Sequence, residues 1–171
     1  VLVSRLSEMV KAPADQLVDR IERTIGSLKD AEKEIARFKS AQMLANVEGI
    51  TGEGTDIGAI RLWTFAAPEG MSGNELRELL MHTRGRVHKD IAAVIYATAV
   101  ADGKVSALVA CNELARERGF SAKGVLEIAV QALDGRGGGK DDFAQGGGSN
   151  PALVDASVAA VRSFCEERAR A

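Results

Sequence analysis

The chain has 171 residues, 46% apolar and 27% charged, with aromatics at only 4%. That is enough for one domain with a core, or for a small domain plus an extension. Net charge is −2, which excludes an overall cationic field and confines any nucleic-acid contact to a local patch.

No apolar run approaches the ~20 residues of a membrane span, and no signal peptide is visible. Cys111 and Cys165 fit no metal-ligand or redox spacing, so they read as reduced thiols in a cytoplasmic protein. The chain begins at Val1 rather than Met, which reads as a fragment. Residues 1–12 form a short helix with Leu2, Leu6, Met9 and Val10 on one side. From Ala14 to about Val47 the pattern is one long helix: Ile21, Leu28 and Ile35 are seven apart, and Leu17, Thr24, Ala31 and Phe38 form a second heptad track. Such a seam suits a helix on its own domain or a coiled-coil arm that meets a second chain.

Gly49 to Gly58, with four glycines, reads as a linker between a helical part (1–48) and a globular part (59–171). Ile57 to Ala67 is β-branched and aromatic and reads as a strand. Ser72 and Glu75 make a capping box for a helix carrying Leu76, Leu79, Leu80 and Thr83. Asp90 to Val100 reads as a central strand buried on both faces. Asp102-Gly103 is a tight turn that returns the chain as Val105 to Cys111. Asn112 to Gly119 is a short polar piece, and Ser121 caps a helix through Leu133. A glycine-rich stretch follows, expected as an ordered loop, and then a last helix opened by Asn150-Pro151. The fold class is therefore α/β (α+β): a small mixed sheet with helices packed on it, preceded by the long helix.

Chemistry has little support in these residues. Asp141 and Asp142 are adjacent and so point to opposite sides of an extended chain, a poor chelate without a third partner. The glycine run is no P-loop, because Asp141 follows Lys140 where Ser or Thr is required. The cations are more informative. Met81 to Lys89 holds Arg84, Arg86 and Lys89 with no acid, which suits either a helix C-terminus or a polyanion. Arg136 and Lys140 flank a glycine triplet, where cations and bare amides together suit a phosphate. Phe143 is either a surface for a base or a plug that anchors the stretch to the core.

The stretch G-R-G-G-G-K-D-D-F-A-Q-G-G-G (135–148) closely resembles the signature G-G-[RK]-G-G-G-[RK]-P-D-x-A-Q-[AG]-G-G of the C-terminal domain of bacterial alanyl-tRNA synthetases. The segments A-D-G-K-V-S (101–106) and A-P-A-D-Q-L-V-D-R-I-E (12–22) are similar to that family as well. Two positions depart from it: Asp141 stands where the family usually has proline, and Asp134 where it often has glycine.

The resemblance implies a non-catalytic module with two parts. A long-helix part would serve dimerisation through Leu17, Ile21, Leu28, Ile35 and Phe38. A globular DHH-associated part would contact the elbow of the L-shaped alanine tRNA. Its tRNA-facing residues would be Arg136, Gly137, Gly138, Gly139, Lys140, Gln145, Gly146, Gly147 and Gly148, joined by the Arg84, Arg86 and Lys89 patch. No catalytic residue, metal or cofactor is expected in this chain. ATP and Mg²⁺ for aminoacylation and zinc for editing would act in other domains of the same synthetase. The alternative is the substrate-binding half of a DHH-family phosphoesterase acting on short nucleic acid. That family typically shows a His after its glycine run, and here Lys140 stands there.

Overall fold

The computed structural model describes the backbone of residues 1–52 and 54–171, and the side chains of all of these except 39, 40, 43, 44 and 46–52. The chain divides into two compact units, Val1–Leu44 and Ala45–Ala171.

In the first unit, helix α1 (Leu2–Val10) ends on Lys11, whose left-handed backbone (φ 52°) closes the last turn. A 3₁₀ turn at Ala14–Gln16 leads into α2 (Leu17–Gly52). The Arg20 Nε donates to the Val10 carbonyl at 3.3 Å, tying the start of α2 to the end of α1. Leu17 is buried and Ile21 half-buried, so the beginning of the heptad seam is spent inside this unit. Leu28, Ile35 and Phe38 are 59, 56 and 70% exposed, and Ile25 is exposed beside them.

The second unit is built on a six-stranded mixed sheet in the order β1-β2-β3-β4-β6-β5. The stretch expected as a linker departs from that reading. Helix α2 runs to Gly52, and Thr55–Ile57 is the short edge strand β1, antiparallel to β2 (Ile60–Ala66). Glu53 lies outside the described residues. The physical reason is burial: Ile57 is covered by the core, which a solvated linker would not provide.

Helix α3 (Gly73–Arg86) crosses from β2 to β3 (Ala93–Ala101), which pair in parallel. Its start is set by the expected capping box: the Glu75 N–H donates to Ser72 Oγ at 3.3 Å, and the Ser72 N–H donates to Glu75 Oε2 at 2.9 Å. Leu76, Leu79, Leu80 and Thr83 recur at helical spacing and are fully buried. Each leucine contributes about 1.5–3 kcal/mol of burial free energy. One flank of that buried stripe carries Arg77 and Arg84, seven residues apart and therefore stacked two turns from each other.

Strand β3 is buried at every residue from Ala93 to Ala99, as a strand covered on both faces must be. It turns through Asp102 (φ 51°) and Gly103 (φ 71°), the paired positive φ angles of a type I′ hairpin, into β4 (Lys104–Cys111). Asn112 caps the short α4 (Glu113–Glu117), and its amide also bonds Ile91 O and the Ala93 N–H. Ser121 caps α5 (Ala122–Ala132) by accepting from the Gly124 N–H at 3.0 Å.

Helices α5 and α6 (Val154–Arg170) cover one face of the sheet, where Leu62, Val94, Tyr96 and Val109 meet Leu126, Ala129, Val161 and Cys165 in the main core. A buried polar bridge crosses this layer. The Tyr96 and Ser157 hydroxyls lie 2.8 Å apart, and Ser157 Oγ also donates to Val154 O at 2.6 Å. Both buried hydroxyls therefore keep a partner.

Candidate nucleic-acid interface

The glycine-rich stretch is not the ordered loop its composition suggests. It is a hairpin of β5 (Arg136–Gly139) and β6 (Phe143–Gly148), and it completes one side of the sheet. Strand β6 pairs with β4, and β5 forms the outer edge. The glycines are dictated by close approach. A methyl built on Gly146 would meet Arg136 O at 2.5 Å and Val130 Cγ1 at 2.9 Å, and one on Gly137 would meet Leu126 Cδ2 at 2.9 Å. Methyls on Gly147 and Gly148 would strike the carbonyls of Val105 and Leu133, and one on Gly139 would strike the backbone of Ala144. Gly138 differs: nothing lies within 4 Å of its would-be Cβ.

Alternation along the strands sorts the hairpin into two faces. Gly137, Gly139, Ala144, Gly146 and Gly148 take one face, toward α5. Arg136, Gly138, Lys140, Phe143, Gln145 and Gly147 take the other. Register confirms the pairing of these sets, with Arg136 opposite Gly147 and Gly138 opposite Gln145. The Lys140 N–H donates to Phe143 O at 2.9 Å. Lys140–Phe143 is thus a hydrogen-bonded pair, and in antiparallel alternation Gly137 and Gly139 turn their N–H and C=O groups outward to the open edge. Every residue from Arg136 to Lys140 is exposed. Some of the amides expected to be bare are therefore used in the ladder, and two remain available.

Two arginines of α3 hold the hairpin. The Arg84 Nη1 donates to Asp142 O at 3.2 Å and to Asp142 Oδ2 at 3.4 Å. Desolvation is the largest single influence on Asp142 and works against its charge, but the Arg84 hydrogen bond, a backbone hydrogen bond and the nearby Arg84 and Arg116 charges together outweigh it and hold the carboxyl below its ordinary value. The Asp142 carbonyl also accepts from the Cys111 N–H at 3.0 Å, and the Asp141 carbonyl from the Ala122 N–H at 2.8 Å. A proline at 141 would keep that carbonyl, so the departure of Asp141 from the family pattern leaves this bond intact. The second arginine, Arg77, lies over the Phe143 ring at 4.8 Å and donates to Gln145 Oε1 at 3.4 Å.

Of the residues singled out in the sequence, Arg136, Lys140 and Gln145 are brought together on one face of the hairpin. Arg84 is turned inward to the hairpin tip. Lys89 lines a hollow of about 510 Å³ together with Arg84, Arg116 and Asp142. Arg86 is exposed in the last turn of α3. Phe143 is half-buried and its ring is covered by the Arg77 guanidinium, which fits the anchoring role; that ring face is taken by a side chain of the same chain. Arg77 was not singled out in the sequence, although its seven-residue spacing from Arg84 was a signal. Among the described residues, no group of three or more His, Cys, Asp or Glu side chains could hold a metal ion. Among the same residues, no helix is long and apolar enough to cross a membrane.

A family model described as the DHHA1 domain matches residues 59–167. This chain belongs to the DHHA1 family. The curated relatives of the DHHA1 chain include the alanine–tRNA ligase of Streptomyces avermitilis, 37% identical over 169 residues, 99% of this chain and 19% of that protein. Another is the alanine–tRNA ligase of Saccharopolyspora erythraea, 40% identical over 166 residues, 97% of this chain and 18% of that protein. The DHHA1 chain thus spans about a fifth of the length of the ligases it matches. Among solved structures, the C-Ala domain from Aquifex aeolicus alanyl-tRNA synthetase aligns with a TM-score of 0.60 at 24% identity, over 67% of this chain and 98% of that one. That likeness is one of fold, and it fits the mixed sheet with helices found here.

Proposed function

We propose that the chain is a non-catalytic tRNA-contacting and association module of an alanine–tRNA ligase, acting in the cytoplasm. The observation that carries this reading is the hairpin. Arg136 and Lys140 stand on one exposed face of a sheet edge, about 13 Å apart along the strand, with bare glycine between them. Cations spaced along a strand without bulky side chains suit a phosphate backbone, and phosphate contacts position a partner rather than read its sequence. Lys89 would add a cation from the hollow it lines with Asp142, while Arg84 supports the hairpin tip. The partner is the elbow of alanine tRNA. Aminoacylation with ATP and Mg²⁺, and editing with zinc, would be carried by other domains, which this module assists by holding the tRNA. Association would use α2 from Ile25 onward, where Leu28, Ile35 and Phe38 are exposed, and not Leu17, which is already buried.

The chain should bind tRNA weakly and with steep salt dependence, because each neutralised phosphate releases counterions. Changing Arg136 and Lys140 together to Ala should weaken binding and reduce the slope of log K against log salt by about 2. A gel-shift titration showing no change would sink the assignment of these cations, and a tRNA footprint without protection at the elbow would sink the choice of site. For association, light scattering at high concentration should give twice the chain mass, and Leu28→Glu should return the mass of one chain. A single-chain mass for the unaltered protein would end the association reading.

A further inference from the structure

Phe143 is the single aromatic of the hairpin, and in the fold its ring is already covered by the Arg77 guanidinium. Two contacts hold that group. The ring lies 4.8 Å below it, and Gln145 Oε1 accepts from one of its edge N–H groups. Arg77 is nevertheless exposed. A guanidinium donates in its plane and is weakly hydrated above and below it. One face stacked on an aromatic therefore leaves a second flat, cationic face to solvent. Beside it opens a hollow of about 550 Å³, lined by Asn74, Glu78, Met81 and His82. Met81 offers an apolar wall, and Asn74 and His82 offer groups that hydrogen-bond a base edge. Arg136 and Lys140 share the hairpin face with Phe143 and Gln145, so an RNA strand held by those cations would carry its bases toward Arg77.

We propose that the outer face of Arg77 is a stacking platform for an unpaired nucleobase of the bound RNA, with Phe143 below it and Gln145 fixing its orientation. This rests on the RNA reading of the hairpin. It adds a base contact to a site otherwise made of phosphate contacts. Guanidinium planes are established stacking partners for unstacked bases, and a stacked base contributes enough to be measured.

The test is a fluorescence-anisotropy titration of the whole chain against labelled alanine tRNA at several salt concentrations, with thermal melting of each variant as a control. Arg77→Lys keeps the charge and removes the plane. It should weaken binding about tenfold while leaving the salt slope unchanged, and one unpaired base protected by the parent chain should become reactive again. Replacing that nucleotide with an abasic one should weaken binding to the parent chain about tenfold and leave binding to Arg77→Lys unaltered. The abasic arm needs no altered protein, so it decides the matter even if Arg77→Lys is unstable. Binding by Arg77→Lys within twofold of the parent chain overturns the proposal and leaves the tRNA reading in place. So does a salt slope that falls together with affinity, since Arg77 would then be one more phosphate contact. No binding by the parent chain overturns both.

Discussion

Asp134 holds a left-handed backbone (φ 51°) at the exit of α5. The Gly135 N–H donates to Val130 O at 2.8 Å, and the Asp134 N–H to Gln131 O at 3.3 Å. These two bonds make a Schellman closure, whose left-handed position is ordinarily glycine. A side chain there costs about 1–2 kcal/mol in general, less for Asp. Asp134→Gly should raise the melting temperature by about 1–4 °C, corresponding to about 0.5–1 kcal/mol. A variant that melts at or below the parent chain would show that Asp134 bears no strain.

The hairpin glycines divide by what surrounds them, and this separates packing from recognition. Gly146→Ala forces a methyl against Arg136 O and Val130 and should cost about 2–3 kcal/mol in denaturant unfolding. Gly138→Ala meets open space and should stay within about 0.5 kcal/mol of the parent chain. Equal losses for the two would mean that close approach is not why the stretch is glycine. The same feature explains what could not be read from the sequence. Helix α3 was legible because a capping box and leucines at helical spacing are local signals. The β3–β4 hairpin was legible because Asp-Gly sits between two apolar runs. Strands β5 and β6 have almost no apolar alternation to read, since Ala144 and Phe143 are their only non-glycine covered side chains. Their strand character comes from the neighbours β4 and α5. Strand β1 is three residues among glycines and was hidden for a similar reason. At the site, Arg136 and Lys140 were legible from composition. The inward turn of Arg84 and the stack of Arg77 on Phe143 depend on tertiary placement and left no local signal beyond their spacing.

At the scale of the whole molecule, both thiols lie in the core and report on its integrity. Burial pushes Cys111 up to about 12 and Cys165 up to about 11, from an ordinary 9.0. The folded state therefore holds protons that the unfolded chain releases above pH 9. The stability linked to these protons is fully present below pH 9 and declines as pH rises toward 12. Urea midpoints should fall over that window, and Cys111→Ala with Cys165→Ala should flatten the decline. Thiol labelling at pH 8 should be slow in the folded chain and fast in urea. Rapid labelling without urea would contradict the burial of both sulfurs.

The hairpin also decides when the entropy of the glycine-rich stretch is lost. Glycine gives up more conformational freedom on ordering than any other residue, of the order of 1–2 kcal/mol for each backbone residue fixed. Were the seven glycines between Asp134 and Gly148 a free linker, that loss would fall on the binding step and weaken it. Held between β4 and α5, they lose it during folding, and a partner meets a surface already in its bound shape.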